Sequence, residues 1–206
     1  MSEEARGSWL RPGPGRVIVL SGPSGVGKDT VLRVLFSKAP ELKYSVSYTT
    51  RAPRPDERAG ESYFFVDEGT FHRMAANREF LEYADVHCYW YGTSRSVVQA
   101  AVDRGQDIIL KIDVQGAARV SARVEDALTI FLMPPSRAAL WHRLETRYTE
   151  DNSSLARRRE DAEAELAQAA RYDHRVVNDD VERAALEILS LLYPERAATI
   201  VTAPQG

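Results

Sequence analysis

Cysteine is almost absent from this 206-residue chain: Cys88 stands alone, so no internal disulfide can form and no cysteine pair can hold a metal. That usage fits a reducing compartment, and the chain is long enough to bury a core without covalent staples. Long apolar runs are also lacking. No stretch approaches the roughly 18 residues that a membrane-spanning helix needs, and the N-terminus lacks the basic-then-apolar layout of a secretory signal. A cytoplasmic protein with no membrane partner is expected. Positive charge is not in excess either, since 27 Lys and Arg against 30 Asp and Glu leave a net charge of −3. A broad surface for polymeric nucleic acid is therefore not indicated, and any anion binding has to be local. No internal repeat is visible.

What remains is the composition of an ordinary globular chain, 44% hydrophobic and 28% charged. Its most informative segment is Gly22-Pro23-Ser24-Gly25-Val26-Gly27-Lys28-Asp29-Thr30, which follows the apolar run Val17 to Ser21 and precedes a helical pattern. Strand, glycine-rich loop and helix thus occur in the order a phosphate cradle requires. Small residues let successive backbone N–H groups point at one anion, the helix start adds partial positive charge, and Lys28 can reach the outer phosphates. That chemistry suits ATP. The plainer alternative is a glycine-rich turn closing a βα unit. One position departs from the usual pattern, because Asp29 follows Lys28 and a hydroxyl appears only at Thr30.

Residues 1–16 are polar and punctuated by Pro12, Gly13, Pro14 and Gly15, which predicts a disordered leader. The segment from Glu195 on reads as a loosely held tail. Between them, apolar strands alternate with helical patterns: strands at Val17 to Ser21, Asp107 to Asp113, Ala127 to Met133 and His174 to Asn178, and helices at Lys28 to Lys38, Val114 to Val124, Ser136 to Arg147, Ser153 to Arg171 and Val181 to Leu192. This alternation implies an α/β fold, a parallel sheet covered by helices with ligands at the carboxyl ends of the strands. The stretch from Tyr44 to Tyr91 breaks the rhythm, with short β patterns (Ser45 to Thr50, Ser62 to Val66, Leu81 to Val86) around the helix-like Asp67 to Ala76. It reads as an inserted mixed α/β lobe at 44–94, leaving a core of 17–43, 95–135 and 172–194 and a helical segment at 136–171.

Within that lobe, Ser47 to Glu57 and Gly60 to Tyr63 gather Arg51, Arg54, several hydroxyls and Tyr63 in a loop stiffened by prolines. Each arginine can make forked, charge-assisted bonds to one phosphate, and Tyr63 can add a donor. The alternative is a solvated basic loop whose arginines pair with Asp56, Glu57 and Glu61.

From Val17 to Leu192 the chain resembles the guanylate kinases, P-loop nucleoside monophosphate kinases. The motifs that carry the likeness are the loop at 22–30, Thr49-Thr50-Arg51-x-Pro53-Arg54-x-x-Glu57-x-x-Gly60-x-x-Tyr63-x-Phe65, Phe80-Leu81-Glu82, Tyr91-Gly92-Thr93, Ile112-Asp113-Val114-Gln115-Gly116, Pro134-Pro135-Ser136 and Val177-Asn178-Asp179-Asp180. The resemblance implies transfer of the terminal phosphoryl group of ATP to GMP, and to dGMP, with Mg²⁺, in purine nucleotide metabolism. It implies phosphate contacts from Arg51, Arg54, Tyr63 and Tyr91, guanine contacts from Ser47, Glu82 and Thr93, and places Glu57 and Asp113 in the same GMP site. It makes 136–171 a mobile lid carrying Arg147 and Arg158, with Arg143 nearby, and puts Asn178 on the adenine side. A carboxylate at Glu82 can accept from both N1–H and the exocyclic amine of guanine, whereas adenine offers a bare acceptor at N1. Sites of that kind discriminate by roughly 10⁴-fold or more. Taken alone, Glu82 would instead pass for an exposed carboxylate.

Two departures from the family pattern stand out. Asp29 removes the hydroxyl usual there, so Asp29 and Thr30 are expected to meet Mg²⁺ through water. Lys111 stands where many relatives carry an acidic residue, on the same strand face as Asp113. An ion pair with Asp113 and a place near the phosphates or the GMP arginines are both open to it. Gly-Lys-Asp in the loop also resembles ribose 1,5-bisphosphate phosphokinases, the second enzyme reading. A non-catalytic guanylate-kinase-like binding module is the third, though such modules tend to have damaged P-loops. Oligomeric state is not legible.

Overall fold

The computed structural model describes residues 9–86, 88–147 and 152–196, without the side chains of Arg147 and residues 152–155. The chain divides into two compact units. One takes the described residues up to Val19 together with Leu42–Thr129; the other takes Leu20–Glu41 and the described residues from Ile130 on. Among the described residues nine strands form a five-stranded sheet, in the order β2 (Lys43–Tyr44), β7 (Ile108–Lys111), β1 (Val17–Ser21), β8 (Leu128–Met133) and β9 (His174–Val177), and a four-stranded sheet, in the order β4 (Phe64–Phe65), β3 (Tyr48–Thr49), β6 (Tyr89–Ser94) and β5 (Phe80–Val86). The architecture is α/β, as the alternation of patterns implies.

The second unit holds the helices that frame the glycine-rich loop. Strand β1 (Val17–Ser21) is buried at all five positions, which is why it reads as a continuous apolar run with no alternation. After the loop comes α1 (Lys28–Lys38), which buries Val31, Leu32 and Leu35. It packs against α7 (Val181–Leu192), whose buried face is Ala184, Ala185, Ile188, Leu189 and Leu192. Strand β8 (Leu128–Met133) pairs in parallel with β9 (His174–Val177), Ile130 opposite His174 and Met133 opposite Val177. Between them run α5 (Arg137–Arg147) and α6 (Asn152–Leu166), followed by a 3-10 turn at Ala169–Arg171 where a continuous helix to Arg171 was expected.

The first unit carries β2 (Lys43–Tyr44), β3 (Tyr48–Thr49), β4 (Phe64–Phe65), α2 (Glu68–Ala76), β5 (Phe80–Val86), β6 (Tyr89–Ser94), α3 (Arg95–Asp103), β7 (Ile108–Lys111) and α4 (Val114–Arg123). Its smaller sheet packs an aromatic core in which Phe71 stacks on Phe80 at 4.6 Å between ring centroids, with Trp90 at 6.0 Å from Phe71. The strand expected over Ser45 to Thr50 is corrected here. Lys43 and Tyr44 pair with Ile108 and Ile109 in the larger sheet, and only Tyr48 and Thr49 belong to the smaller one. Helix α3 and strand β6 were not anticipated, although Val98, Ala101 and Val102 lie buried at helical spacing behind an N-cap at Ser94, whose hydroxyl accepts from Val97 N at 3.4 Å.

The disordered leader is corrected from Trp9 onward; residues 1–8 lie outside the described residues. Leu10 is buried, Arg11 meets Asp103 at 2.7 Å and Arg16 meets Asp107 at 2.6 Å. The prolines and glycines that suggested disorder serve close packing instead, since a Cβ on Gly15 would lie 2.4 Å from the Gln106 carbonyl oxygen. At the other end, Arg196 pairs with Glu41 and lies 4.6 Å from the Tyr193 ring centroid, so the expected tail is tied down at least to that residue. Residues 197–206 lie outside the described residues. Among the described residues no helix is long and apolar enough to cross a membrane.

Candidate active site

The loop from Gly22 to Gly27 owes its shape to glycine. Gly27 is the N-cap of α1 with φ 100°, a left-handed conformation that L side chains resist, and no side chain caps the helix start there. A Cβ at Gly27 would stand 2.6 Å from Asn178 Nδ2. That close approach lets Asn178 brace the loop: its Nδ2 donates to the Val26 carbonyl at 2.7 Å, and Arg143 Nη1 donates to the same oxygen at 3.0 Å. Asn178 is 2% exposed and its Oδ1 has no hydrogen-bond partner among the described residues. The start of α7 is capped nearby by Asp180, which accepts from Arg183 N at 2.9 Å.

Lys28 folds back over the loop, its ammonium donating to the Gly22 carbonyl at 2.5 Å and the Pro23 carbonyl at 3.1 Å. Ser24 N donates to the Glu165 carboxylate at 3.1 Å, which ties the end of α6 to the loop. Sequence reasoning missed Glu165, because nothing local marks one acidic residue in a charge-rich helix. Arg137 meets Glu163 at 2.8 Å and Arg159 pairs with Glu145, so ion pairs link the two helices, which also bury Leu140, Leu144 and Ala162. Arg158 is half-buried on α6. The Arg147 side chain lies outside those described.

Asp29 and Thr30 are exposed in the first turn of α1. Among the described residues no group of three or more His, Cys, Asp or Glu is placed to hold a metal ion. A carboxylate and a hydroxyl at a helix start suit Mg²⁺, which keeps most of its waters and takes one or two protein groups beside phosphate oxygens.

In the first unit, strand register builds a polar pocket. Glu82 on β5 lies opposite Thr93 on β6. Thr93 Oγ1 donates to Glu82 Oε1 at 2.6 Å, and the carboxylate is only 3% exposed. Glu82 is therefore no surface carboxylate. Burial pushes its pKa up to about 7, the Asp113 carboxylate adds to that, and the Thr93 bond with Arg119 and Arg123 oppose it. Asp113 caps α4, accepting from Gly116 N at 2.9 Å and Gln115 N at 3.3 Å. Gly116 then has to lack a side chain, since its Cβ would lie 2.6 Å from Glu82 Oε2. Ser47 is buried just ahead of β3, 5% exposed.

Helix α4 also braces the outer edge of β5. Gln115 Nε2 donates to the Asp85 carbonyl at 3.4 Å, while Arg119 and Arg123 donate to the Tyr83 and Leu81 carbonyls. Three donors four residues apart on the helix meet three carbonyls two residues apart on the strand. A rise of about 6 Å per four helical residues matches about 6.8 Å per two strand residues. Gln115, Arg119 and Arg123 form an i, i+4, i+8 row, a signal present in the sequence but unread as a brace.

The arginine loop is ordered by its own carboxylate. Arg51 Nη2 donates to both oxygens of Glu57 at 2.7 and 2.8 Å, and Arg54 N donates to Glu57 Oε2 at 2.9 Å. The pairing foreseen as an alternative to phosphate binding is thus present for Arg51, and Glu57 orients its guanidinium while holding the Arg54 backbone. Arg51 Nε donates to the Tyr91 hydroxyl at 3.2 Å, and its guanidinium lies 5.6 Å from the Tyr63 ring centroid. Burial disfavours the Arg51 charge, but Glu57 and Tyr91 outweigh it and leave its pKa above the ordinary value. Burial likewise raises the Glu57 pKa while the Arg51 and Arg54 bonds lower it further, with a net result below the usual range. Arg54 itself is exposed. The structure brings Arg51, Glu57, Tyr63 and Tyr91 together in one cluster, and Glu82, Thr93, Asp113 and Gly116 in another.

Comparison with known proteins gives these clusters a context. Residues 14–195 match the family model described as guanylate kinase. The chain is 43% identical to a guanylate kinase of Chromohalobacter salexigens over 185 residues, 90% of this chain and 86% of that one. It is 46% identical to one of Leifsonia xyli over 177 residues, 85% of this chain and 70% of that one. Among solved structures, a crystal structure of guanylate kinase from Anaplasma phagocytophilum superposes with a TM-score of 0.74 at 34% identity, covering 89% of this chain and 87% of that one.

Proposed function

The chain belongs to the guanylate kinase family, and from that premise we propose that it transfers the terminal phosphoryl group of ATP to GMP, and to dGMP, yielding GDP or dGDP. It is an enzyme. Purine nucleotide metabolism in the cytoplasm is the setting that such a reaction serves. The observation that carries the reading of the acceptor is the buried Glu82 carboxylate, held by Thr93 at 2.6 Å in a pocket with Asp113. Guanine presents two adjacent donors, N1–H and the amine, and an ionised carboxylate answers both. Adenine would leave it facing a lone pair.

Phosphoryl transfer asks for alignment and charge neutralisation more than covalent chemistry from the protein. In the first unit Arg51, Arg54, Tyr63 and Tyr91 hold the GMP phosphate, with Glu57 orienting the Arg51 guanidinium, while Ser47, Glu82, Thr93 and Asp113 read the base. In the second unit the backbone of residues 22–27 cradles the ATP phosphates, Lys28 leaves its loop carbonyls for the outer phosphates, and Asn178 supports both loop and adenine side. Asp29 and Thr30 would hold Mg²⁺ through water, and the ion would supply neutralisation of phosphate charge. Arg147 and Arg158, with Arg143, belong to helices α5 and α6, the lid that excludes competing water. Glu165 gives up its bond to Ser24 N as nucleotide enters.

The acceptor is tested by an ADP-release assay with GMP, dGMP, AMP and ribose 1,5-bisphosphate offered separately. Turnover with GMP and dGMP is expected. Activity confined to the sugar bisphosphate would replace this reading, and no activity with any acceptor would leave a binding module.

A further inference from the structure

Strand β5 forms one edge of the smaller sheet, with β6 on its inner side. The outer side of an edge strand presents backbone carbonyls that no strand takes up. Helix α4 answers two of them with side chains, Arg123 donating to the Leu81 carbonyl and Arg119 to the Tyr83 carbonyl. Those carbonyls flank Glu82, whose carboxylate Thr93 holds at 2.6 Å from β6. Covering an edge needs only a donor, yet both donors here are half-buried cations that favour the ionised form of Glu82 against its burial. Arg123 has a second contact of another kind, since its guanidinium lies 3.8 Å from the Trp9 ring centroid, close enough for face-on stacking. The segment that carries Trp9 is anchored in turn, with Leu10 buried and Arg11 paired to Asp103 of α3 at 2.7 Å.

We propose that Arg123, seated between the Trp9 ring and the Leu81 carbonyl, is a positioning residue of the base-reading carboxylate Glu82, with Arg119 acting alike from the Tyr83 carbonyl. This rests on the reading of Glu82 as the group that meets guanine. A planar guanidinium stacks by its face and donates by its edge at the same time, so Trp9 can fix the plane of Arg123 without competing for the N–H that Leu81 receives. Holding the backbone on both sides of Glu82 limits how far its carboxylate can shift, and a site that answers two donors of a base needs that precision. The charge has a separate effect. Burial and the Arg119 charge lower the Arg123 pKa, while Glu82 and Tyr83 oppose that, so the cation and the carboxylate support each other's ionised forms. Trp9 thereby contributes to guanine recognition from a segment remote in sequence from both α4 and β5. The plainer alternative is an arginine row that only covers a sheet edge, and it predicts a loss of stability without a loss of base binding.

Guanosine binding and steady-state kinetics of the full chain separate the two. Arg123→Gln removes the charge, and the dissociation constant for guanosine is expected to rise roughly tenfold, the scale of one charge-assisted hydrogen bond. The KM for GMP should rise alike, with kcat and the KM for ATP within about twofold of wild type, because the loss falls on acceptor binding. Arg123→Lys keeps the charge and should restore most of the affinity. Trp9→Leu should weaken guanosine roughly fivefold, and the double variant should stay within about twofold of Arg123→Gln, since Trp9 acts through Arg123. A lower melting temperature with unchanged guanosine binding in Arg123→Gln, no restoration by Arg123→Lys, or multiplied losses in the double variant would overturn the proposal. If melting curves show that Arg123→Gln does not fold, Arg119→Gln, which leaves Trp9 on Arg123, is read by the same comparison of guanosine loss with ATP loss. Wild-type chain that binds adenosine as tightly as guanosine would instead refute the reading of the base pocket beneath it.

Discussion

Protonation of Glu82 offers the sharpest physical handle on base recognition. Burial raises its pKa from the model-peptide value of 4.5 to about 7 in the ligand-free chain. Only the ionised carboxylate accepts two donors, so guanine must bind the deprotonated form. The cost of removing the proton below pH 7 then appears in the affinity, at about 1.4 kcal/mol per pH unit. Between pH 8 and pH 5 the dissociation constant for guanosine should rise about a hundredfold, whereas a carboxylate of ordinary pKa would change it by less than about twofold. Guanosine rather than GMP is the right probe, because the phosphate of GMP titrates near pH 6. Calorimetry at pH 6 in buffers of different ionisation enthalpy should show release of about 0.9 proton per guanosine bound.

Stability follows the same linkage with a fixed sign. A raised folded-state pKa stabilises the ligand-free chain most below pH 4.5, and that contribution is lost as pH rises through about 7. Glu82→Gln removes the slope, so the variant gains on the wild type at pH 8 relative to pH 5. It also leaves guanosine binding weak and flat with pH. A wild-type affinity that is already flat between pH 5 and pH 8 would refute the assignment of Glu82 to the base.

Two further outcomes are expected. Gly116→Ala puts a Cβ 2.6 Å from Glu82 Oε2 and 3.1 Å from Asp113 Oδ1, so kcat/KM for GMP should fall roughly tenfold to a hundredfold. Melting should come earlier as well, because the new Cβ crowds a buried carboxylate, and kcat/KM for GMP within twofold of wild type would contradict the close approach. Leu10→Ala should cost about 2 kcal/mol in urea unfolding, as expected for a buried leucine near the surface. A leader that does not pack would show no change.

The elements legible in the sequence are those whose signal is local. Four consecutive apolar residues and Ser21, then Gly22 to Lys28, mark strand, loop and helix together; α1 and α7 emerge where expected on their apolar spacing, α7 also behind its Asp180 cap. The residues proposed to meet GMP were singled out through the resemblance, since no local rule distinguishes Glu82 from a surface carboxylate. Its burial comes from register with Thr93 and from the absence of a side chain at Gly116, and both depend on chain remote in sequence. Residues 9–16 misled for a related reason: Pro and Gly mark turns and close approaches as readily as disorder. Strand β6 was hidden because burial rises along it from exposed Tyr89 to buried Gly92, Thr93 and Ser94 and does not alternate. Gln115, Arg119 and Arg123 show a helical row, but only the neighbouring strand edge reveals what the row holds.

The most direct test of the central claim is the fate of label from γ-³²P ATP incubated with the full chain, Mg²⁺ and GMP. The account predicts label in GDP, abolished by omitting GMP and strongly reduced by Glu82→Gln. Label recovered only as inorganic phosphate, or in GDP at an undiminished rate with Glu82→Gln, would contradict it.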